Sequence, residues 1–237
     1  MARFLDSGWW PYAIPYFGFL LIVQFGGAVP HLLPLRVLIP LGFLIFFARR
    51  GSYAELRDFR IEPLRIALDV LVGVAGAVIW VVPFLVAPAL RPGPETAFDA
   101  NQLGTSLVWL ALTLRLTGFA LVTPFMEELF IRSWLQRTVE SMGRRDAEFR
   151  SLPMATFTIR SFLVVVLWFT LSHARWEWPV AAAWIVITQL WFYHRKHLMP
   201  LVISHAASNI SVFLFVVFGN ERFHDPQGNP VSLWFFL

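Results

Sequence analysis

Runs of apolar residues near the length that crosses a hydrocarbon core, about 20 residues for about 30 Å, recur along this chain. Eight can be marked: Pro11–Val29, Leu32–Ala48, Ile66–Leu90, Thr105–Val122, Pro124–Val139, Ser161–His173, Trp178–Tyr193 and Met199–Gly219. Hydrophobic residues make up 57% of the 237 and charged ones 14%, where a soluble domain carries about a quarter charged. A soluble chain of this length would have too little polar surface to cover such a core. In lipid every backbone amide needs an internal partner, and uniform apolar runs supply it as helices, not as the alternating strands of a barrel. The expectation is an all-α, polytopic transmembrane bundle of about seven or eight helices. It forms a single domain over residues 1–237, multi-pass in the cell (inner) membrane, with the lipid bilayer as its first partner.

Several classes are excluded. There is no cysteine, which removes disulfides, thiolate catalysis and cysteine-ligated zinc together. The first run reads as a retained span, because Arg3 and Asp6 nearly cancel, Pro11 and Pro15 interrupt it, and no small-residue cleavage site follows. The net charge of +4 comes mostly from arginines at span ends. That pattern suits orientation and headgroup contact, and no nucleic-acid partner is expected.

The arginines also constrain topology. Arg49, Arg50, Arg57, Arg60 and Arg65 form one cluster, Arg137, Arg144, Arg145, Arg150 and Arg160 a second, and Arg195–Lys196 a third. The positive-inside rule puts all three in the cytoplasm. Eight strictly alternating crossings have the wrong parity for that. The conflict disappears if Thr105–Val139 makes one net crossing, for example as a broken, partly re-entrant unit hinged at Pro124.

Charge at membrane depth is unfavourable by roughly 2.5–3.5 kcal/mol per residue on translocon scales, so it needs a reason. The stretch from Pro124 to Arg132 holds Glu127, Glu128 and Arg132 between apolar flanks. On a helix Glu128 and Arg132 share a face and can pair, while Glu127 points about 100° away. His173 follows Phe169-Thr170-Leu171-Ser172 at the end of a strongly apolar run, and His205 and Asn209 sit at i and i+4 within another. Taken singly these are a structural ion pair, an interfacial histidine and an interhelical polar contact. Taken together they are six polar groups on separate helices that cannot face lipid, and one shared interior site accommodates them all. Asp69 and Arg115 are read as an inter-helix pair or helix-end markers, and Arg36 as a snorkelling side chain.

The set suits water-mediated peptide hydrolysis. Glu127 with His173 would activate a water, His205 with Asn209 would donate to the oxyanion, and Glu128–Arg132 would hold the motif helix in register. A zinc site built from His173, His205 and a glutamate is the competing arrangement. The chain lacks His-Glu-x-x-His, so no metal and no other cofactor is expected, with zinc left open. No Gly-x-Ser-x-Gly elbow is present, and Ser172 and Ser208 are read as backbone-bonding residues.

Glu127-Glu128-x-x-x-Arg132, Phe169-x-x-x-His173 and His205-x-x-x-Asn209, in that order on separate apolar helices, resemble the CPBP family. This is the CAAX-protease and bacteriocin-processing group, which includes the Ras-converting endopeptidases. The resemblance covers about Thr105–Gly219, the expected catalytic core. It implies a bundle of about eight helices with an intramembrane site, in which Glu127 and His173 activate water, His205 and Asn209 bind the oxyanion, and Glu128, Arg132 and Phe169 support them. Many family members place glycine after the motif arginine, whereas this chain has Ser133. The implied substrate is a membrane-associated protein or peptide, lipid-modified ones included, and some bacterial relatives accompany exosortase systems. The rival readings are a non-catalytic scaffold or bacteriocin-immunity protein of the same family, and a small transporter with a buried proton relay. Against the transporter stands the absence of repeat symmetry.

Overall fold

The computed structural model describes residues 8–26, 29, 32–57, 59–144, 148–224, 228 and 230–237. Arg3, Asp6 and Arg145, and positions 27 and 28 of the first apolar run, lie outside these. Seven helices carry the described chain, with no β-strand among them. They are α1 (Trp10–Gly26), α2 (Leu33–Arg49), α3 (Pro63–Val86), α4 (Thr105–Ser141), α5 (Ile159–Leu171), α6 (Trp178–Arg195) and α7 (Leu198–Gly219). Three of them, α3, α4 and α7, are long and apolar enough to cross a membrane.

The two runs expected on either side of Pro124 are one helix of 37 residues, so the proposed hinge is absent. The reason lies in a wider turn. Proline in a helix removes an amide hydrogen and crowds the carbonyl four residues earlier, here that of Ala120. Ala120 sits in a π-helical turn, Gly118–Val122, which ends two residues before Pro124 and loosens that crowding. A second π-helical stretch, Leu129–Leu135, follows directly after the two glutamates.

With seven helices, the connections α2–α3, α4–α5 and α6–α7 that carry the arginine clusters are alternate ones. The three cationic segments gather at one end of the bundle. There the Arg137 guanidinium lies 3.5 Å from Glu55, His197 Nε2 lies 3.2 Å from the Arg57 carbonyl, and the Arg160 guanidinium reaches the carbonyls of Val139 and Met142. At the other end the α3–α4 connection, the α5–α6 turn and the tail after α7 meet. Phe98 N–H donates to the Trp234 carbonyl at 3.0 Å, and Trp176 packs edge-on against Phe84 and Phe235 at 5.2 and 5.8 Å.

Packing between helices uses small residues, as expected where lipid removes the hydrophobic driving force. A Cβ on Gly73 of α3 would collide with the Ser204 carbonyl of α7, and one on Gly76 would sit 2.7 Å from Trp184 Nε1 of α6. Tyr16 of α1 stacks on Phe130 of α4 with centroids 4.0 Å apart. Asp69, fully buried on α3, forms a two-point pair with Arg195 of α6, both contacts at 3.0 Å, and accepts from Trp191 Nε1 at 2.9 Å. The expected Asp69–Arg115 pair is therefore replaced by Asp69–Arg195. The α6–α7 turn brings Arg195 within reach, whereas Arg115 lies at the opposite end.

Candidate active site

The polar residues of α4, α5 and α7 border one cavity of about 340 Å³. Glu127, Phe169, His173, His205 and Asn209 all line it. Glu128 and Arg132 lie behind it, both fully excluded from solvent.

Spacing on α4 sorts the two glutamates. Glu128 faces Arg132 one turn on, and the guanidinium Nη1 contacts both carboxylate oxygens at 3.1 and 3.2 Å. Arg132 Nη2 donates to Thr188 Oγ1 of α6 at 2.8 Å, and Thr188 donates to the Trp184 carbonyl at 3.0 Å. Glu128 Oε1 also accepts from His205 Nδ1 at 2.9 Å. One buried carboxylate thus connects α4 to α7, and its arginine connects α4 to α6. The register role expected of Glu128–Arg132 has a specific geometry, with Thr188 as a partner that the sequence did not reveal.

Glu127 is turned toward the cavity, and His205 Nε2 is 4.0 Å from its Oε2. His205 is thereby held by one carboxylate through Nδ1 and faces the other through Nε2. Its ring lies 4.7 Å from that of Trp184, which stacks on Phe169 at 5.1 Å. Asn209, one turn further along α7, donates from Nδ2 to the Phe119 carbonyl at 2.6 Å. That carbonyl belongs to the first π-helical turn of α4. An amide nitrogen carries two hydrogens, so this bond leaves the second one unused.

His173 stands two residues beyond the end of α5, and its Nδ1 lies 2.7 Å from the Phe169 carbonyl. A carbonyl only accepts, so Nδ1 carries the hydrogen and Nε2 of the neutral ring is the bare acceptor. Its ring packs against Phe169 at 4.4 Å and Trp80 at 5.4 Å. No contact within 4 Å joins His173 to Glu127 among the described residues; the imidazole beside that carboxylate is His205. Ser172 bonds the Phe169 carbonyl at 2.8 Å, as read from the sequence, while Ser208 accepts from Trp184 Nε1 at 3.3 Å.

Two further ionisable residues line the cavity, Arg115 of α4 and Glu177 of the α5–α6 turn. Burial pushes the Glu177 carboxyl up to about 7, against the opposing pull of the Ala174 amide and Arg115. Ser133, where many family members have glycine, bonds Glu55 through its hydroxyl and accepts from Arg137 Nη2 at 2.5 Å. These bonds tie Ser133 into the arginine-rich end, and it does not line the cavity. No group of three His, Asp or Glu suited to a metal occurs among the described residues.

Two carboxylates, two imidazoles, an amide and a guanidinium collected inside an apolar helix bundle define a membrane-embedded protein with a polar, water-compatible centre. Residues 108–211 match the family described as Type II CAAX prenyl endopeptidase Rce1-like, a match that supports assignment to the CAAX-protease (CPBP) family. The matched stretch begins inside α4 and ends just after Asn209, so it contains all three polar motifs. That match supports a membrane peptidase with a protein or peptide substrate. No curated protein and no solved structure matches the chain.

Proposed function

We propose that this chain is a glutamate-type intramembrane endopeptidase that hydrolyses a peptide bond in a membrane-associated or lipid-modified protein. The supporting observation is convergence: Glu127 of α4, His173 just beyond α5, and His205 and Asn209 of α7 border the same cavity. In this reading a water in the cavity attacks the scissile carbonyl carbon, and Glu127 takes its proton, aided by the bare Nε2 of His173. The free amide hydrogen of Asn209 donates to the developing oxyanion, as does Nε2 of His205 when that ring carries a second proton. Collapse of the tetrahedral species breaks the C–N bond, and the abstracted proton passes to the departing amine. Thr105–Gly219 forms the catalytic core and α1–α3 a supporting wall within the same domain.

Sidedness follows from the charges. The three cationic segments hold five, five and two Lys or Arg residues, 12 in all, while the segments at the opposite end hold Arg91, Arg175 and Arg222. The positive-inside rule then places the arginine-rich end in the cytoplasm of an inner-membrane protein. The cavity is bordered by Thr96, Ala174, Trp176 and Phe235, all from the opposite end, so it opens away from the cytoplasm. Its substrates are then proteins presented from the outer side.

The test is product formation. Full-length protein in nanodiscs is incubated with an apolar peptide library, and the products are read by mass spectrometry. Cleavage by the wild type that falls by at least about 10³ in Glu127→Gln and His173→Ala supports the proposal. Cleavage that survives both substitutions removes it, and the scaffold reading takes its place.

A further inference from the structure

The segment Val231–Leu237 follows α7 and lies beyond residues 108–211, the stretch with a family match. Its side chains are those of Val, Ser, Leu, Trp and Phe, none of them ionisable. Five of the seven, Val231, Leu233, Phe235, Phe236 and Leu237, are buried. What buries them is the outer end of the candidate catalytic cavity. Phe235, Phe236 and Leu237 border that cavity, and Leu237 also borders an adjoining one of about 550 Å³. The Phe235 and Phe236 rings pack on Phe84 of α3, with centroids 6.1 and 5.7 Å apart.

The cavity of about 340 Å³ is at the small end of the range that small-molecule sites occupy, about 300–1,000 Å³. An extended peptide rises about 3.3 Å per residue, so three residues on each side of a cut need a track of about 20 Å. Part of the wall has to move to admit one. The helical walls are fixed by buried ion pairs and close packing: Glu128–Arg132, Asp69–Arg195, and Gly73 against the Ser204 carbonyl. Val231–Leu237 is held more lightly. Among the described residues its hydrogen bonds to other elements are made at its near end and middle. Val231 N–H donates to the Phe223 carbonyl at 2.8 Å, Leu233 N–H to Asn220 Oδ1 at 2.9 Å, and the Trp234 carbonyl accepts from Phe98 N–H at 3.0 Å. Segments held mainly by apolar contacts and few hydrogen bonds are the ones that open locally.

Apolar side chains already fill the outer part of the cavity, and a second apolar segment replaces them with little change in buried area. We infer that Val231–Leu237 is a displaceable strap, an autoinhibitory contact within the chain, and that an apolar segment of the substrate binds by taking its place. The fraction of molecules with the strap displaced then scales the affinity for substrate. The inference rests on the peptidase reading for what is admitted, but displacement itself is measurable without turnover.

The test locks the strap. Phe98 and Trp234 share a backbone hydrogen bond and have rings 6.2 Å apart, in a chain with no native cysteine. Full-length Glu127→Gln protein carrying Phe98→Cys and Trp234→Cys is titrated in detergent with a dansyl-labelled apolar hexapeptide, and the disulfide is verified by mass. The oxidised form is expected to bind at least about tenfold more weakly than the reduced form, with reductant restoring affinity. Phe236→Ala, which loosens the strap from Phe84, is expected to bind at least about threefold more tightly than its parent. Equal binding by the oxidised and reduced forms overturns the inference, as does Phe236→Ala binding no more tightly. A further readout needs no substitution: the Leu233 and Phe236 amides of the wild type should exchange hydrogen at least about tenfold faster than that of Val212 in α7. Exchange no faster than Val212 overturns the inference even if the variants do not fold. Lock-sensitive binding without cleavage of any peptide by the Glu127-containing protein refutes the peptidase reading alone. Cleavage that the disulfide leaves unchanged refutes the strap alone.

Discussion

Thr188→Val is the most informative perturbation of the region around the site, because it changes one buried hydrogen bond and little volume. Thr188 Oγ1 accepts from Arg132 Nη2 at 2.8 Å, and both residues are sequestered from solvent, Arg132 fully and Thr188 to 2% exposure. Valine leaves one arm of a buried guanidinium without that acceptor, while Arg132 Nε already lacks a partner. Hydrogen bonds to charged groups contribute about 1.5–3 kcal/mol in soluble proteins. Interhelical bonds in membranes average about 0.6 and reach about 1.7 kcal/mol. The charge favours the upper part of the membrane range, so the expected loss is about 1.5 kcal/mol. At about 2–4 °C per kcal/mol for a chain of this size, Tm falls by roughly 3–6 °C. The assay is fluorescence-detected size-exclusion thermostability in one detergent, with Thr188→Ser as the control that keeps the acceptor. Because Arg132 also positions Glu128, and Glu128 positions His205, peptidase turnover falls together with Tm. A Thr188→Val protein as stable as Thr188→Ser would refute the reasoning, since the acceptor would then contribute nothing.

Gly73→Ala puts a Cβ against the Ser204 carbonyl and 2.7 Å from the Ala207 Cβ. It should destabilise α3–α7 packing by about 1–3 kcal/mol in the same assay. Raised to about 7, Glu177 binds a proton more strongly in the folded chain than at its ordinary 4.5. Its contribution is full below the ordinary value and lost as pH rises through about 7. Tm should therefore fall between about pH 5 and pH 8 by the equivalent of roughly 1–3 kcal/mol, and Glu177→Gln should flatten that profile. The chain has no cysteine, so single-cysteine labelling in spheroplasts reads sidedness cleanly. Thr96→Cys should react with an impermeant maleimide from outside, and Met142→Cys only after lysis.

Much of this arrangement was legible in the sequence because charge inside an apolar run has few explanations. Glu128 and Arg132 pair as their i, i+4 spacing requires, and Glu127 points elsewhere as about 100° per residue dictates. The arginine clusters called for one net crossing over Thr105–Val139, and that stretch is one continuous helix, α4, long and apolar enough to cross. The supposed break was wrong because proline is ordinarily a helix stop, and spacing gives no sign of the π-helical turn that relieves it. Thr188 was invisible, since a threonine in an apolar helix commonly bonds its own backbone. Asp69 had two distant arginines to choose from, and only the tertiary fold decides for Arg195.

Everything proposed for catalysis depends on Glu127 sharing a wet pocket with the histidines. The direct measurement is an experimental density map of the detergent-solubilised protein at side-chain resolution. It should show the Glu127 carboxylate, both imidazoles and the Asn209 amide bordering one cavity, with His205 Nε2 about 4.0 Å from Glu127. Packed apolar side chains standing between that carboxylate and both imidazoles would contradict the account.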